Sequence, residues 1–377
     1  MKRFFLPIAS LAVVLLASCK PGGDSNVIVV GEFASLTGKE ATFGTSSHEG
    51  TLLAVEKINE AGGVLGKQVK LLTEDNQSKA GESSTVVDKL ISRDHAVAIL
   101  GEVASSRSLE AAPICQQSKV PMISPSSTNP KVTQTGDYVF RVCFIDPFQG
   151  TVMANFALGT LKAKRVAVLT DVKSDYSKGL AQFFEAGFVK GGGEIVSRLD
   201  FNGGDKDFKA QLTAIKGANP DAVFVPGYYT EVALIAVQAR QLDMQAPLFG
   251  GDGWESEDLL KLGKEAVEGY YFSTHYSPEA GSPLGAKFVE DYRKRWGGKS
   301  PDAMAALGYD SAMLLVDAIK RAGTVEGAKV RDALAATKDL EGVTGKTTIN
   351  AQRDATKAAV VIQVKGGKFK YLETVKP

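Results

Sequence analysis

Residues 96–130 read AVAILGEVASSRSLEAAPICQQSKVPMISPSSTNP, and this stretch decides the fold class. Ala96–Leu100 is a short apolar run, which predicts a buried strand. A Gly- and Ser-containing turn follows, and the segment from about Ser106 to Gln117 has helical spacing. Val120–Ile123 is apolar again and runs into Ser124-Pro125-Ser126-Ser127-Thr128-Asn129-Pro130. Strand, helix and strand joined by short loops make a parallel pair with a crossover helix.

The same rhythm extends upstream. Val27–Val30 is a strand, Ser46–Ala61 an amphipathic helix ended by Gly62-Gly63, Val69–Thr73 a strand, and Lys79–Arg93 a helix. Downstream it restarts, with strands at Arg165–Leu169, Glu194–Phe201, Ala222–Val225 and Pro247–Phe249. Helices at Tyr176–Lys190, Asp207–Lys216 and Glu231–Leu242 alternate with them. Two βα series of similar order predict an α/β protein of two similar doubly wound parallel-sheet lobes. Tyr138–Ile145, followed by Asp146-Pro147, is an extended crossing, and Gly269–Tyr276 is a second. Helices at Pro283–Trp296, Met304–Arg321 and Val325–Thr337 follow. The chain ends with strands at Lys346–Ile349, Ala358–Gln363 and Phe369–Thr374, the last after a Gly366-Gly367 turn. The expected division is 27–145 plus 275–345 for one lobe and 146–274 plus 346–377 for the other. A multi-strand hinge of this kind suits closure on a ligand.

At 377 residues, two domains are the better prior. The net charge of +1, without charge blocks, suggests neither a nucleic-acid groove nor a polybasic membrane patch. With 3 His and 3 Cys, and no C-x-x-C spacing, there is little from which to build a metal site, and no cofactor is expected.

At the N-terminus, Lys2 and Arg3 precede an apolar run from Phe4 to Ala17, broken only by Pro7 and Ser10. The run falls short of the roughly 20 apolar residues that span a bilayer. It reads as a signal peptide over residues 1–18. Leu16-Ala17-Ser18-Cys19 resembles a bacterial lipobox, which makes Cys19 the lipidated first mature residue and 19–26 a tether. The competing reading is a cleaved signal peptide with an incidental Cys. Cys115 and Cys143 could pair in an oxidising compartment, but the apolar patterns around both favour buried thiols.

Ligands of open parallel sheets bind beyond the carboxyl ends of the strands. That rule selects Gly101–Ser108 and Ser124–Pro130, rich in hydroxyls, with the first opening a helix whose N-terminus attracts a carboxylate. The same residues also serve ordinary capping and turns. In the second series it selects Asp171–Tyr176, Gly227–Glu231 and Gly250–Trp254. Asp252 lies between glycines, where a ligand can approach closely, and is otherwise a solvated turn aspartate. Hydroxyl donors on one lobe and a carboxylate on the other would match a zwitterion. Enzyme motifs are absent: no G-x-S-x-G, P-loop or strand-following G-x-G-x-x-G occurs. His95 reads as a helix C-cap residue, and His275 as structural rather than cleft-lining.

Gly31–Gly38 with Phe43-Gly44, Ile58–Gly66, Pro121–Pro130, Asp175–Gly179 and Gly227–Glu231 stand in this order along the chain. Together they resemble the branched-chain amino-acid-binding family of type I periplasmic binding proteins, which feed ATP-driven importers. The resemblance implies that Ser105 and Thr128 hold the ligand's α-carboxylate, with backbone help near Ser105 and Ala104. It implies that the Ser126 carbonyl and Asp252 take the α-ammonium, and that Phe43, Tyr176 and Tyr228 wall the side chain. Asp252 stands where leucine/isoleucine/valine-binding relatives carry Glu. Ala104 and Asn76 leave out a disulfide found in some relatives.

The resemblance therefore implies the substrate-binding component of an ABC importer, monomeric and periplasmic, held to the membrane by its lipid anchor alone. Its partners would be a leucine/isoleucine/valine-like amino acid and the permease subunits. A ligand sensor of the same fold, or a receptor for another small carboxylate or amide, is the alternative.

Overall fold

The computed structural model describes Met1 and residues 26–377; the expected signal peptide and Cys19 lie outside the described residues. Five strands form the first sheet: β1 (Val27–Ala34), β2 (Gln68–Asp75), β3 (Ile99–Leu100), β4 (Met122–Ser124) and β5 (Val139–Arg141). They run parallel in the order β2-β1-β3-β4-β5. The second sheet contains β6 (Arg165–Asp171), β7 (Glu194–Phe201), β8 (Ala222–Phe224), β9 (Leu248–Gly250) and β10 (Tyr271–Thr274). After a small hairpin of β11 (Thr348–Ile349) and β12 (Ala355–Thr356), β13 (Ala359–Val364) and β14 (Phe369–Val375) complete it. Its order is β14-β13-β10-β9-β8-β6-β7, with β13 and β14 antiparallel. Omitting those two, the lobes share one strand order, as the repeated rhythm predicts.

Helices α1 (Ala41–Glu60), α2 (Glu82–Ser92), α3 (Ser105–Ser118) and α4 (Lys131–Gln134) belong to the first series. The second contains α5 (Asp146–Gly159), α6 (Asp175–Lys190), α7 (Lys209–Gly217), α8 (Tyr229–Gln241) and α9 (Glu257–Gly263). The chain then adds α10 (Pro283–Arg295), α11 (Ala303–Ala322) and α12 (Gly327–Ala335).

Strand periodicity explains why each sheet carries helices on both faces. In β6, Ala167 and Leu169 enter one core with Leu212 of α7 and Val232 of α8. Val166 and Val168 enter the opposite core with Phe156 of α5 and Phe184 of α6. In the first lobe, Leu100 packs with Ile58 and Leu315, whereas Ile99 packs with Leu90 and Cys115. Both Cys115 and Cys143 are buried and unpaired, and burial pushes the Cys143 thiol up to about 12.

β5 and β10 are sheet strands inside segments that read as crossings, α4 and β12 escape the pattern, and two further elements differ from the sequence reading. Asp146-Pro147 opens α5, with the proline in the first turn, where its missing N–H costs nothing. The helix escapes pattern reading because Thr151, Asn155 and Gly159 make only a thin exposed stripe beside buried Val152, Met153, Ala154, Phe156 and Ala157. The β11–β12 hairpin, expected in the second lobe, contributes Ile349 and Ala355 to the core of the first. Only β13 and β14 return to the second sheet. Crossings between the lobes therefore fall at residues 142–145, 275–282 and 357–358.

Candidate functional site

The carboxyl ends of both sheets face one cleft, and the lobes are closed across it. Thr42 Oγ1 donates to Asp258 Oδ2 at 2.9 Å, and Tyr229 OH donates to the Lys39 carbonyl at 3.0 Å. Phe43 packs edge-on to Tyr228 and Tyr229 at centroid distances of 5.5 and 4.8 Å.

The first lobe contributes donors. α3 starts at Ser105 after Ala104, which offers no side-chain cap to the first-turn N–H groups. Ser105 Oγ accepts from Asn129 N at 3.2 Å, so its own proton remains to donate. Thr128 Oγ1 is buried with no well-aligned hydrogen-bond partner. Hydroxyls and a helix N-terminus converging without a side-chain cation suit a carboxylate.

Buried polar side chains brace these loops. Glu102 Oε2 accepts from Ala104 N at 2.6 Å, while its Oε1 accepts from Ser35 Oγ at 2.6 Å and Ser35 N at 3.0 Å. Burial first, then the Glu40 charge, pushes Glu102 up to about 7. Arg141 is fully buried. Its guanidinium donates to the Asn129 carbonyl at 2.9 Å, to Thr133 Oγ1 at 3.0 Å and to the Ser127 carbonyl. Its Nε lies 2.7 Å from Asp354 Oδ1, in the turn of the β11–β12 hairpin. The guanidinium thus fixes the backbone that carries Ser126 and Thr128.

The second lobe contributes an acid and aromatic faces. Asp252 sits in a 3-10 turn, Asp252–Trp254, anchored by Trp254 Nε1 donating to the Val225 carbonyl at 2.8 Å. The flanking glycines are needed for space. A Cβ on Gly251 would lie 2.6 Å from Gln149 Oε1 and from the Tyr176 hydroxyl, and one on Gly253 would lie 2.6 Å from the Gly227 carbonyl. Gln149 Nε2 donates to Asp252 Oδ1 at 3.0 Å, and Gln149 Oε1 accepts from Asp252 N at 2.8 Å. Tyr176 OH accepts from Gly253 N at 3.1 Å, and its ring stacks on Tyr228 at 5.2 Å with an interplanar angle of 4°. Asp146 lies beside this group. Burial chiefly, with the Asp252 charge adding to it, pushes Asp146 up to about 8, and its Oδ2 has no hydrogen-bond partner.

All eight cleft residues named from the sequence converge here: Phe43, Ala104, Ser105, Ser126 and Thr128 from one lobe, and Tyr176, Tyr228 and Asp252 from the other. The sequence reading misses Gln149, Asp146 and Arg141, and it gives His275 a structural role where the structure sets it against Asp252. His275 follows β10 directly, so the carboxyl-end rule, applied to that strand, selects it. Its Nε2 lies 2.9 Å from Asp252 Oδ2 and 3.3 Å from Ser126 Oγ, and its ring stacks on Phe144 at 3.8 Å. Ser126, His275 and Asp252 do not form a nucleophilic triad. A triad needs serine and carboxylate on opposite ring nitrogens; here both meet Nε2, and Nδ1 is buried without a partner.

Among the described residues no cluster of three or more His, Cys, Asp or Glu could hold a metal ion, and no helix is long and apolar enough to cross a membrane.

Residues 27–368 match a family model described as periplasmic binding protein. A leucine-binding protein from Thermotoga maritima shares 44% identity, covering 93% of this chain and 99% of that one, with a TM-score of 0.90. A branched-chain amino-acid transporter substrate-binding protein from Streptococcus pneumoniae, solved with isoleucine, shares 37% identity over 93% and 100% of the two chains, with a TM-score of 0.88. A Leu/Ile/Val-binding protein from Rhizobium johnstonii is 32% identical over 351 residues, 93% of this chain and 92% of that protein.

Proposed function

The chain belongs to the periplasmic binding protein family, and from that premise we propose that it is the extracytoplasmic receptor of an ABC importer, closing on an amino acid of the leucine/isoleucine/valine class. One observation carries the reading: donors without a cation on one lobe face a buried carboxylate on the other, across an aromatic wall. Ser105, Thr128 and the first turn of α3 take the α-carboxylate. Asp252 and the Ser126 carbonyl take the ammonium, and Phe43, Tyr176 and Tyr228 enclose an apolar side chain. A zwitterion bridging the lobes stabilises the closed form, because only that form makes both sets of contacts. The crossings at 142–145, 275–282 and 357–358 serve as the hinge.

In this reading the ligand leaves the protein unchanged, in line with relatives that are named as binding proteins. Cys19 anchors the mature, monomeric protein to the membrane by lipid, and the closed form docks on permease subunits. Calorimetry of the purified mature protein with leucine, isoleucine, valine, alanine and phenylalanine tests the ligand class. Binding of at least one aliphatic member is expected, and silence across the panel would sink the reading.

A further inference from the structure

His275 stands at the only crossing whose side chain reaches the acid of the cleft, among the described residues. Asp252 is buried with both carboxylate oxygens engaged: Gln149 Nε2 on Oδ1 at 3.0 Å and His275 Nε2 on Oδ2 at 2.9 Å. Gln149 cannot turn to release Oδ1, because its Oε1 is held by Asp252 N at 2.8 Å and by Ser273 Oγ at 2.9 Å. Ser273 belongs to β10 and His275 to the crossing after it, so the strand that enters the hinge positions the acid from two sides.

The orientation of His275 is equally constrained. Its ring is stacked on Phe144, in the first crossing, at 28° between planes, and it is buried. A carboxylate oxygen 2.9 Å away requires a proton on Nε2, since a lone pair there would face an anion. Ser126 Oγ, from the opposite lobe, lies 3.3 Å from the same nitrogen and so joins the contact when the lobes are together. Other acids stand close by: the charge of Asp252 acts on both Asp146 and Glu255. A buried carboxylate needs donors aimed at its oxygens to offset its lost hydration.

We propose that His275 is a positioning residue for ligand recognition: its Nε2–H fixes the Asp252 carboxylate toward the ligand's ammonium, and its contact with Ser126 ties that geometry to closure of the lobes. This rests on the amino-acid reading above. It adds a residue of the hinge to the recognition of the ligand's amine by the Asp252 loop.

The test compares three variants by leucine calorimetry, with thermal melting of each free protein as the folding control. His275→Gln places an amide N–H near the Nε2 position and is expected to keep affinity within about threefold, as its donor is retained. His275→Asn reaches only as far as Nδ1, and His275→Phe keeps the stacking but has no donor; each is expected to lose roughly tenfold or more. In an Asp252→Asn background, the His275→Phe loss should largely disappear. Equal affinities in the Gln, Asn and Phe variants, or an undiminished His275→Phe loss without the Asp252 carboxylate, would overturn the proposal. Should the variants fail to fold, nitrogen-15 NMR of the wild-type histidines decides: an Nε2–H signal for His275 that moves on leucine addition is expected, and an Nδ1–H tautomer would refute it. Wild-type silence toward the whole amino-acid panel would instead remove the functional reading itself.

Discussion

Ser106 Oγ donates to Asp175 Oδ2 at 3.0 Å, and Asp175 N donates back to the same hydroxyl at 3.0 Å. Ser106 lies in the first turn of α3 and Asp175 begins α6, so the pair joins two helix N-termini from opposite lobes. Asn129 Nδ2 adds a bond of 2.7 Å to the Asp175 carbonyl. A carboxylate placed between two helix N-termini is favoured by both dipoles. These bonds exist only when the lobes meet, so they act on the open–closed balance.

Ser106→Ala is therefore expected to weaken leucine binding by about threefold to tenfold, the value of a charge-assisted hydrogen bond at a partly exposed site. The melting temperature of the free protein should stay within a few degrees. Calorimetry and small-angle scattering would check it; unchanged affinity with an unchanged closed fraction would show that the pair is passive.

Asp252→Ala is expected to cost about 2–5 kcal/mol of leucine affinity, because the ammonium would be left without its buried counter-charge. The fold should persist, since removing one of several neighbouring buried acids relieves repulsion as well as breaking bonds. Circular dichroism and calorimetry on the same sample separate the two effects. Full affinity in a folded variant would place the ammonium elsewhere.

Much of this geometry was legible in the sequence, for reasons that differ by element. Glu194–Phe201 reads as a strand at its observed bounds because turn residues flank it. The loops that carry Ser105, Thr128 and Asp252 follow from one topological rule, since strand ends are local and the rule places them together without knowing any contact; the choice of those residues within the loops is what the family resemblance implies. Arg141 illustrates what stays hidden. It reads as a polar residue in an apolar strand, and its role depends on Asp354, brought beside it only after the chain has built a whole second lobe and returned. His275 and Gln149 are of the same kind: each is one residue on a segment with an ordinary pattern, and only their distances to Asp252 reveal what they do.

Phe43→Ala is expected to reduce affinity for leucine by roughly tenfold, the ring being a buried apolar wall. The reduction for alanine should be smaller, because a methyl side chain leaves less surface to cover. Phe43 also packs on Tyr228 and Tyr229 across the cleft, so a loss common to all ligands measures closure, and only the excess for leucine measures the side-chain subsite. Equal losses for leucine and alanine would assign Phe43 to closure alone.

The buried acids give stability a pH dependence whose sign can be worked out. Burial raises Asp146 and Glu255 each to about 8 and Glu102 to about 7. Between the ordinary carboxylate range and those values the folded protein holds protons that the unfolded chain has released. Stability therefore falls as pH rises through that window and is unaffected by these groups below it. His48, raised chiefly by the hydrogen bond it donates to Glu32, adds to the fall. Lys357, lowered by burial, acts oppositely, adding stability with pH above its depressed value and up to its ordinary one. Stability should thus drop between pH 5 and pH 8 by about 1.4 kcal/mol per pH unit for each proton retained, and the melting temperature with it. Asp146→Asn keeps the shape without the titration and should make the slope shallower. An identical slope in that variant would show that the carboxyl group beside Thr128 is not among the protons held.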